Sequence, residues 1–287
     1  MEIERSDVTG FCYGVRRALD ILEKEAQVRG SVESLGEVVH NTEVMRRLTK
    51  KGVRVVNNID EINSSVIVLG THGTPPEIKE KISTRHIEII DTTCPFVHRA
   101  QTAARKQAEA GFFVIVFGDP NHVEVKGIIG WAKGNGVATT EINAVKSLKV
   151  IPRRIAILSQ TTQIPAKFSE FVKGVFDTIY YKDSEIRIID TICHEIRDRQ
   201  SAALELAKRV NVMLVIGGRN SANTTHLAEL CATIVQTHKI ETADQLQKSW
   251  FQSKEKVGIT AGASTADEEI DGVEERIRDK NQPERKR

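Results

Sequence analysis

Short runs of β-branched and aliphatic residues alternate along this chain with longer stretches in which apolar residues recur every three or four positions. Val66-Ile67-Val68-Leu69, Phe113-Val114-Ile115-Val116-Phe117, Ile155-Ala156-Ile157-Leu158 and Val212-Met213-Leu214-Val215-Ile216 are continuous and short. They predict strands covered on both faces, as in parallel sheets. Helical spacing joins Val15, Ala18, Leu19, Leu22 and Ala26, then Val44, Met45 and Leu48, then Val97, Ala100, Ala104 and Ala108, and later Ile196, Ala203, Ala207 and Val210. Gly111 is placed to stop the third of these helices. Strand alternating with helix predicts α/β units with parallel sheets.

The pattern repeats. Ile89-Ile90-Asp91-Thr92-Thr93-Cys94 returns as Ile188-Ile189-Asp190-Thr191-Ile192-Cys193, and a diverged copy, Val8-Thr9-Gly10-Phe11-Cys12, stands near the start. An amphipathic helix pattern follows each cysteine. Three pseudo-symmetric α/β units are therefore expected, over residues 1–93 with Cys12, 94–192 with Cys94 and 193–278 with Cys193. The charged, Pro-containing tail 279–287 is expected to be disordered. In parallel α/β units ligands bind beyond the carboxyl ends of the strands. Each unit thus offers one cysteine and two polar strand-end loops at a shared edge.

Composition narrows the function classes. A net charge of +2 over 287 residues, with no Lys/Arg run around the polar loops, gives no case for nucleic acid. There is neither a signal-peptide pattern nor an apolar run of membrane-spanning length, so no membrane role and a cytoplasmic location are expected. Four cysteines are too few for a disulfide scaffold. Cys231, inside the apolar helix pattern Leu227-Ala228-Glu229-Leu230-Cys231-Ala232, reads as a small buried hydrophobe.

Cys12, Cys94 and Cys193 lie too far apart for a local zinc knuckle. Three thiolates with a histidine can hold zinc, and three thiolates can hold a 4Fe–4S cluster with one iron left open to act as a Lewis acid. Spacing does not separate the two. The strand ends carry His40, His72 and His122, with Ser221, Asn223 and Ser264 beside glycines that let backbone come close. This donor set suits a small oligoanion such as a diphosphate, held without a P-loop. Glu124 is the carboxylate within the set. Two residues after His122, it would share a face with it in a strand and, once desolvated, could donate a proton. Thr161 and Thr162 are placed to relay a proton or orient a hydroxyl. An iron–sulfur enzyme, an iron–sulfur electron carrier and a zinc protein all remain open on these residues alone.

The ordered motifs Gly10-Phe11-Cys12-Tyr13-Gly14-Val15-Arg16-Arg17-Ala18, Gly36-Glu37-Val38-Val39-His40-Asn41, Thr71-His72-Gly73, Asp91-Thr92-Thr93-Cys94-Pro95, His122-Val123-Glu124-Val125, Ser159-Gln160-Thr161-Thr162, Asp190-Thr191-Ile192-Cys193, Asn220-Ser221-Ala222-Asn223-Thr224 and Ala261-Gly262-Ala263-Ser264 resemble those of the 4-hydroxy-3-methylbut-2-enyl diphosphate reductases. The resemblance runs from residue 10 to about residue 267. It implies three pseudo-symmetric α/β units around a central 4Fe–4S cluster ligated by Cys12, Cys94 and Cys193. It also implies an allylic diphosphate substrate and a ferredoxin- or flavodoxin-like electron donor. Glu124 would be the proton donor assisted by Thr161, and His40, His72, His122, Thr161, Ser221, Ala222, Asn223 and Ser264 would bind substrate. The products would be isopentenyl and dimethylallyl diphosphate. Ala222 departs from the Ser-Ser-Asn run of many members. It retains a backbone N–H but loses a hydroxyl, worth about 0.5–1.5 kcal/mol as a neutral hydrogen bond.

Overall fold

A computed structural model describes residues 1–148, 152–180, 183–252 and 255–280 of the chain. In chain order the elements begin with β1 (Glu2–Arg5), α1 (Tyr13–Arg29), β2 (Val32–Leu35), α2 (Thr42–Lys50), β3 (Val53–Val56), β4 (Val66–Leu69), α3 (Pro76–Thr84) and β5 (Glu88–Asp91). Next come α4 (Pro95–Glu109), β6 (Phe113–Phe117), α5 (Val123–Gly130), β7 (Gly136–Thr139), α6 (Ile142–Lys146), β8 (Arg154–Ser159), α7 (Pro165–Ile179) and β9 (Glu185–Ile189). The chain then runs through α8 (His194–Ala207), β10 (Val212–Ile216), α9 (Ala222–Ala232), β11 (Thr237–Ile240), β12 (Lys256–Ala261) and α10 (Asp267–Lys280).

Three four-stranded parallel sheets result, ordered β3-β2-β4-β5, β7-β6-β8-β9 and β11-β10-β12-β1. Read this way the three orders are the same permutation, so the expected threefold repeat is present at the level of topology. One detail differs from a division made simply along the sequence. The strand preceding Cys12 pairs with β12, Arg5 opposite Ile259, so the N-terminal strand closes the third sheet and not the first. The strand before Cys94 and the strand before Cys193 hold the same edge position in their own sheets.

The continuous apolar runs form the strands that helices cover. Val66–Leu69, Val114–Val116, Ile155–Leu158 and Val212–Ile216 are almost wholly buried; each Val, Leu, Ile or Met side chain among them contributes about 1.5–3 kcal/mol. The chain divides into two compact units, one of residues 17–38 and 48–193, the other of 1–16, 39–47 and 194 onward. In the first, Ala100, Ala104 and Ile128 pack on one face of the second sheet, and Phe168, Phe171 and Val175 on the other. In the second, Ile270, Val273 and Ile277 cover one face of the third sheet, and Ala203, Leu206 and Leu227 the other. Asp279 and Lys280, expected in a disordered tail, close α10: Asp267, Glu268 and Glu269 in its first turn favour the helix dipole, and buried Ile277 anchors its last turns. The rest of the tail lies outside the described residues. No helix among the described residues is long and apolar enough to cross a membrane.

Candidate active site

The Asp-Thr-x-Cys repeat is first of all a device for placing a cysteine. Asp91 Oδ1 accepts the Thr93 amide at 2.9 Å, and Asp190 Oδ1 accepts the Ile192 amide at 3.1 Å. Each aspartate therefore turns the chain as it leaves a strand. The threonines pin that turn to the neighbouring strand: Thr92 Oγ1 donates to Leu69 O at 2.6 Å, and Thr191 Oγ1 to Ser159 O. Against the burial that would raise it, hydrogen bonds from Lys79 and Thr93 hold the Asp91 carboxyl below its ordinary value. The turn then delivers the cysteine to a helix start. Cys94 caps α4, with Pro95 at the first helical position, where a missing N–H costs nothing; Cys12 and Cys193 immediately precede α1 and α8.

Each cysteine amide also donates to the loop beyond an adjacent strand end. Cys94 N reaches Thr71 O, Cys193 N reaches Thr161 O and Cys12 N reaches Ala263 O, all at 3.0 Å. All three thiols are free of disulfides. A sulfur at a helix N-terminus is placed where amide dipoles favour the thiolate. Burial pushes the Cys12 thiol up, while the Val15 and Gly14 amides and the Arg199 charge oppose the rise. Among the described residues no three His, Cys, Asp or Glu side chains stand together as a metal site. Assignment of the thiolates as ligands therefore rests on the sequence and on the local geometry of each cysteine.

In the unit of residues 17–38 and 48–193, Glu124 is 2% exposed. Its Oε1 accepts the Thr161 amide at 2.7 Å and its Oε2 the Thr161 hydroxyl at 2.9 Å. Burial drives the carboxyl from 4.5 to about 7, against the two Thr161 hydrogen bonds that favour the charged form. His122 and Glu124 do not share a strand face as expected. His122 caps α5, its Nδ1 accepting the Glu124 amide at 3.1 Å, and Glu124 lies in the first turn. The short polar loop after β6 ends in a residue able to cap, and that starts a helix where alternation alone suggested extended chain. The rings of His72 and His122 meet edge to face with centroids 5.6 Å apart. Thr71 steadies the His72 loop through a 2.7 Å bond from its hydroxyl to Val38 O.

In the other unit His40, Ser221, Asn223 and Ser264 gather around two close approaches of the main chain. A Cβ on Gly218 would lie 2.2 Å from His40 O, so glycine is required there. Asn41 Nδ2 donates to Ser264 O at 2.9 Å, while its Oδ1 accepts the Val44 amide and caps α2. Ser264 Oγ lies 3.5 Å from His40 O. Ser221 caps α9, accepting from Thr224 N, and Ala222 is the first helical residue. Asn223 is 5% exposed, and neither its Nδ2 nor its Oδ1 has a hydrogen-bond partner among the described residues. Two unsatisfied amide atoms in a buried position are costly unless a ligand completes them. Asn41 and Thr71, which position the histidine loops, were not among the expected site residues. An asparagine directly before a helical pattern is a legible capping signal.

The loops after β2, β6 and β10, equivalent in topology, lead through His40-Asn41, His122 and Ser221 into α2, α5 and α9. Those after β4, β8 and β12 carry His72, Thr161 and Ser264. Capped helix starts are anion sites, and a cysteine whose amide bonds the loop after β4, β8 or β12 adds a soft metal ligand. Fold and local chemistry thus define an α/β protein of threefold internal repeat, with cysteines and anion-binding groups at its strand ends. The chain belongs to the LytB protein family, whose model matches residues 3–278.

A relative from Dehalococcoides mccartyi strain CBDB1, 4-hydroxy-3-methylbut-2-enyl diphosphate reductase, is 54% identical over 273 residues, 95% of this chain and 96% of its own. A Geobacter metallireducens protein of the same name is 42% identical, covering 97% of this chain and 98% of its own. A solved structure of (E)-4-hydroxy-3-methyl-but-2-enyl diphosphate reductase, described as the terminal enzyme of the non-mevalonate pathway, is 34% identical, with a TM-score of 0.69 over 97% of this chain and 100% of that one. A Plasmodium falciparum structure at 23% identity and a TM-score of 0.89, covering 99% of this chain and 89% of that one, shares the fold. The family resemblance read from the motifs is borne out.

Proposed function

We propose that the protein catalyses the reductive dehydroxylation of 4-hydroxy-3-methylbut-2-enyl diphosphate to isopentenyl and dimethylallyl diphosphate. Two electrons and two protons enter and one water leaves. This is the last step of non-mevalonate isoprenoid biosynthesis. The observation that carries the reading, beside family membership, is Glu124: a buried carboxyl with a value of about 7, hydrogen-bonded to a threonine hydroxyl, in a chain that sets three cysteines at helix starts.

Cys12, Cys94 and Cys193 are the residues that would hold a 4Fe–4S cluster, which supplies electrons and an open Lewis-acid iron when bound. Cysteines outside any disulfide, placed at helix N-termini, fit that role, and the donor type is right for iron. His40, His72, His122, Ser221, Asn223 and Ser264 bind the substrate, most of them at its diphosphate, together with the Ala222 amide at the start of α9. Glu124 supplies the proton, and the Thr161 hydroxyl bonded to its Oε2 holds the carboxyl in place. A ferredoxin- or flavodoxin-like donor and a cytoplasmic setting complete the proposal.

The test is anaerobic reconstitution with iron and sulfide, followed by turnover with a reduced dye. Release of both isopentenyl and dimethylallyl diphosphate is expected. A loaded cluster with neither product would reject the assignment. Binding is tested separately by Asn223→Ala. Loss of hydrogen bonds to a charged ligand, worth about 1.5–3 kcal/mol, raises KM roughly 10- to 150-fold. The free protein should melt no lower, because the amide lost had no partner. A KM within twofold of the original removes Asn223 from the binding set.

A further inference from the structure

The largest of the wholly buried side chains is a cation. Arg199, on α8, is 2% exposed. Its Nη1 donates to Ala261 O at 2.8 Å and Val8 O at 3.3 Å, and its Nη2 to Gly10 O at 2.8 Å. Nε has no partner. Every acceptor is a backbone carbonyl, and no carboxylate pairs with the guanidinium among the described residues. A buried charge without a directly paired counter-charge is costly, so an anion close by would stabilise it. Burial works against the Arg199 charge; Cys12, when ionised, and the Glu195 and Asp267 carboxylates support it, and Arg16 opposes it.

The three carbonyls belong to the loop that carries Cys12 and to the end of β12. One helical turn before Arg199, Glu195 Oε2 accepts the Tyr13 amide at 3.0 Å. Helix α8 thus grips the chain on both sides of Cys12, at Val8 and Gly10 before it and at Tyr13 after it. The grip constrains a turn that already needs glycine: Gly10 has φ +72°, and a Cβ there would meet Asp267 Oδ1 at 2.5 Å. The repeat supplies a second, independent observation. Six residues after their cysteines the other two copies have Ala18 and Ala100, both fully buried, and only the third copy has an arginine.

We infer that Arg199 is a positioning residue for Cys12, tying two carbonyls of the Cys12 loop to the end of β12 and setting a desolvated positive charge near its sulfur. It rests on the reading of Cys12 as a cluster ligand. A thiolate-bound cluster gains negative charge on reduction, and a fixed cation in a low-dielectric site favours that state. Arg199 therefore raises the reduction potential as well as retaining the cluster.

The test compares the intact protein with Arg199→Met and Arg199→Lys after anaerobic reconstitution, by iron and sulfide content, midpoint potential and cluster release to a chelator. The Met variant should shift the reduction equilibrium at least tenfold toward the oxidised cluster, about 59 mV for one electron. The Lys variant, keeping the charge but not the three-carbonyl fork, should stay within threefold in that equilibrium while releasing iron at least fivefold faster. An unchanged potential in the Met variant, or a Lys potential that falls as far, overturns the inference. If the Met variant does not load, the Lys release rate decides, and release at the original rate overturns it. If the unsubstituted protein takes up no cluster, the ligand reading fails by itself. The clamp is then read in the cluster-free protein by amide exchange at Cys12, expected tenfold faster in Arg199→Met; an unchanged rate overturns it.

Discussion

Glu124→Gln is expected to lower kcat about 10²–10⁴-fold while leaving the absorption spectrum of the reconstituted cluster unchanged. Gln fills the same volume and can still accept the Thr161 amide through its oxygen, so the local structure survives and only the transferable proton is lost. The pH dependence follows from the same burial. With the carboxyl at about 7, turnover of the unsubstituted enzyme falls as pH rises through 7, because the proton donor is the neutral form. Stability moves in a linked way. A carboxyl whose folded value lies above its unfolded one binds protons the unfolded chain has already released, so between about pH 4.5 and 7 stability falls with rising pH. Above that window the whole penalty is present, about 3 kcal/mol for a rise from 4.5 to about 7. Gln carries no such penalty. The variant should melt higher than the original at pH 8 and at a similar temperature at pH 4. Thermal melts at the two pH values, beside a kcat profile, check both halves, and turnover at the original rate would remove Glu124 from the chemistry.

How far the sequence reaches depends on what kind of interaction places a residue. The strands were legible because burial on both faces leaves no polar position in Val66–Leu69 or Val212–Ile216. The repeat was legible because Asp91 and Asp190 make the same local turn, two residues long, and local turns leave local motifs. The pairing of β1 with β12 joins residues about 250 positions apart, and an edge strand of four residues carries no mark of its partner. Glu124 was recognised by its neighbours in sequence but assigned a strand. The choice between strand and helix start turned on whether the His122 ring nitrogen would accept a backbone amide. Arg199 was invisible for a different reason. It stands in His194-Glu195-Ile196-Arg197-Asp198-Arg199, where a charged residue on an amphipathic helix reads as solvent-facing, and only tertiary structure shows the carbonyls that take it inward.

Cys193→Ser should abolish cluster loading and with it turnover, a larger loss than the roughly 10–100-fold that removal of an outer partner of a metal site costs. A serine hydroxyl is not ionised at neutral pH and is a harder donor, so it does not replace a thiolate on iron. The fold should be spared. Cys193 is held by its amide, 3.0 Å from Thr161 O, and that bond is backbone to backbone. Cys231→Ser is the opposing control. Cys231 is fully buried among Ala203, Leu206 and Leu227, and burial alone pushes its thiol up to about 12, so it is neutral and serves as packing. Serine there sets a hydroxyl in an apolar core at a cost of about 1–3 kcal/mol, lowering the melting temperature while iron content and turnover stay unchanged. Iron and sulfide analysis alongside thermal melting of both variants separates the two kinds of cysteine. If Cys193→Ser keeps a full complement of iron, Cys193 is not a ligand. If Cys231→Ser loses iron at an unchanged melting temperature, the division between ligand and packing thiols is wrong: the chemistry would then reach into a helix that the strand-end repeat does not predict.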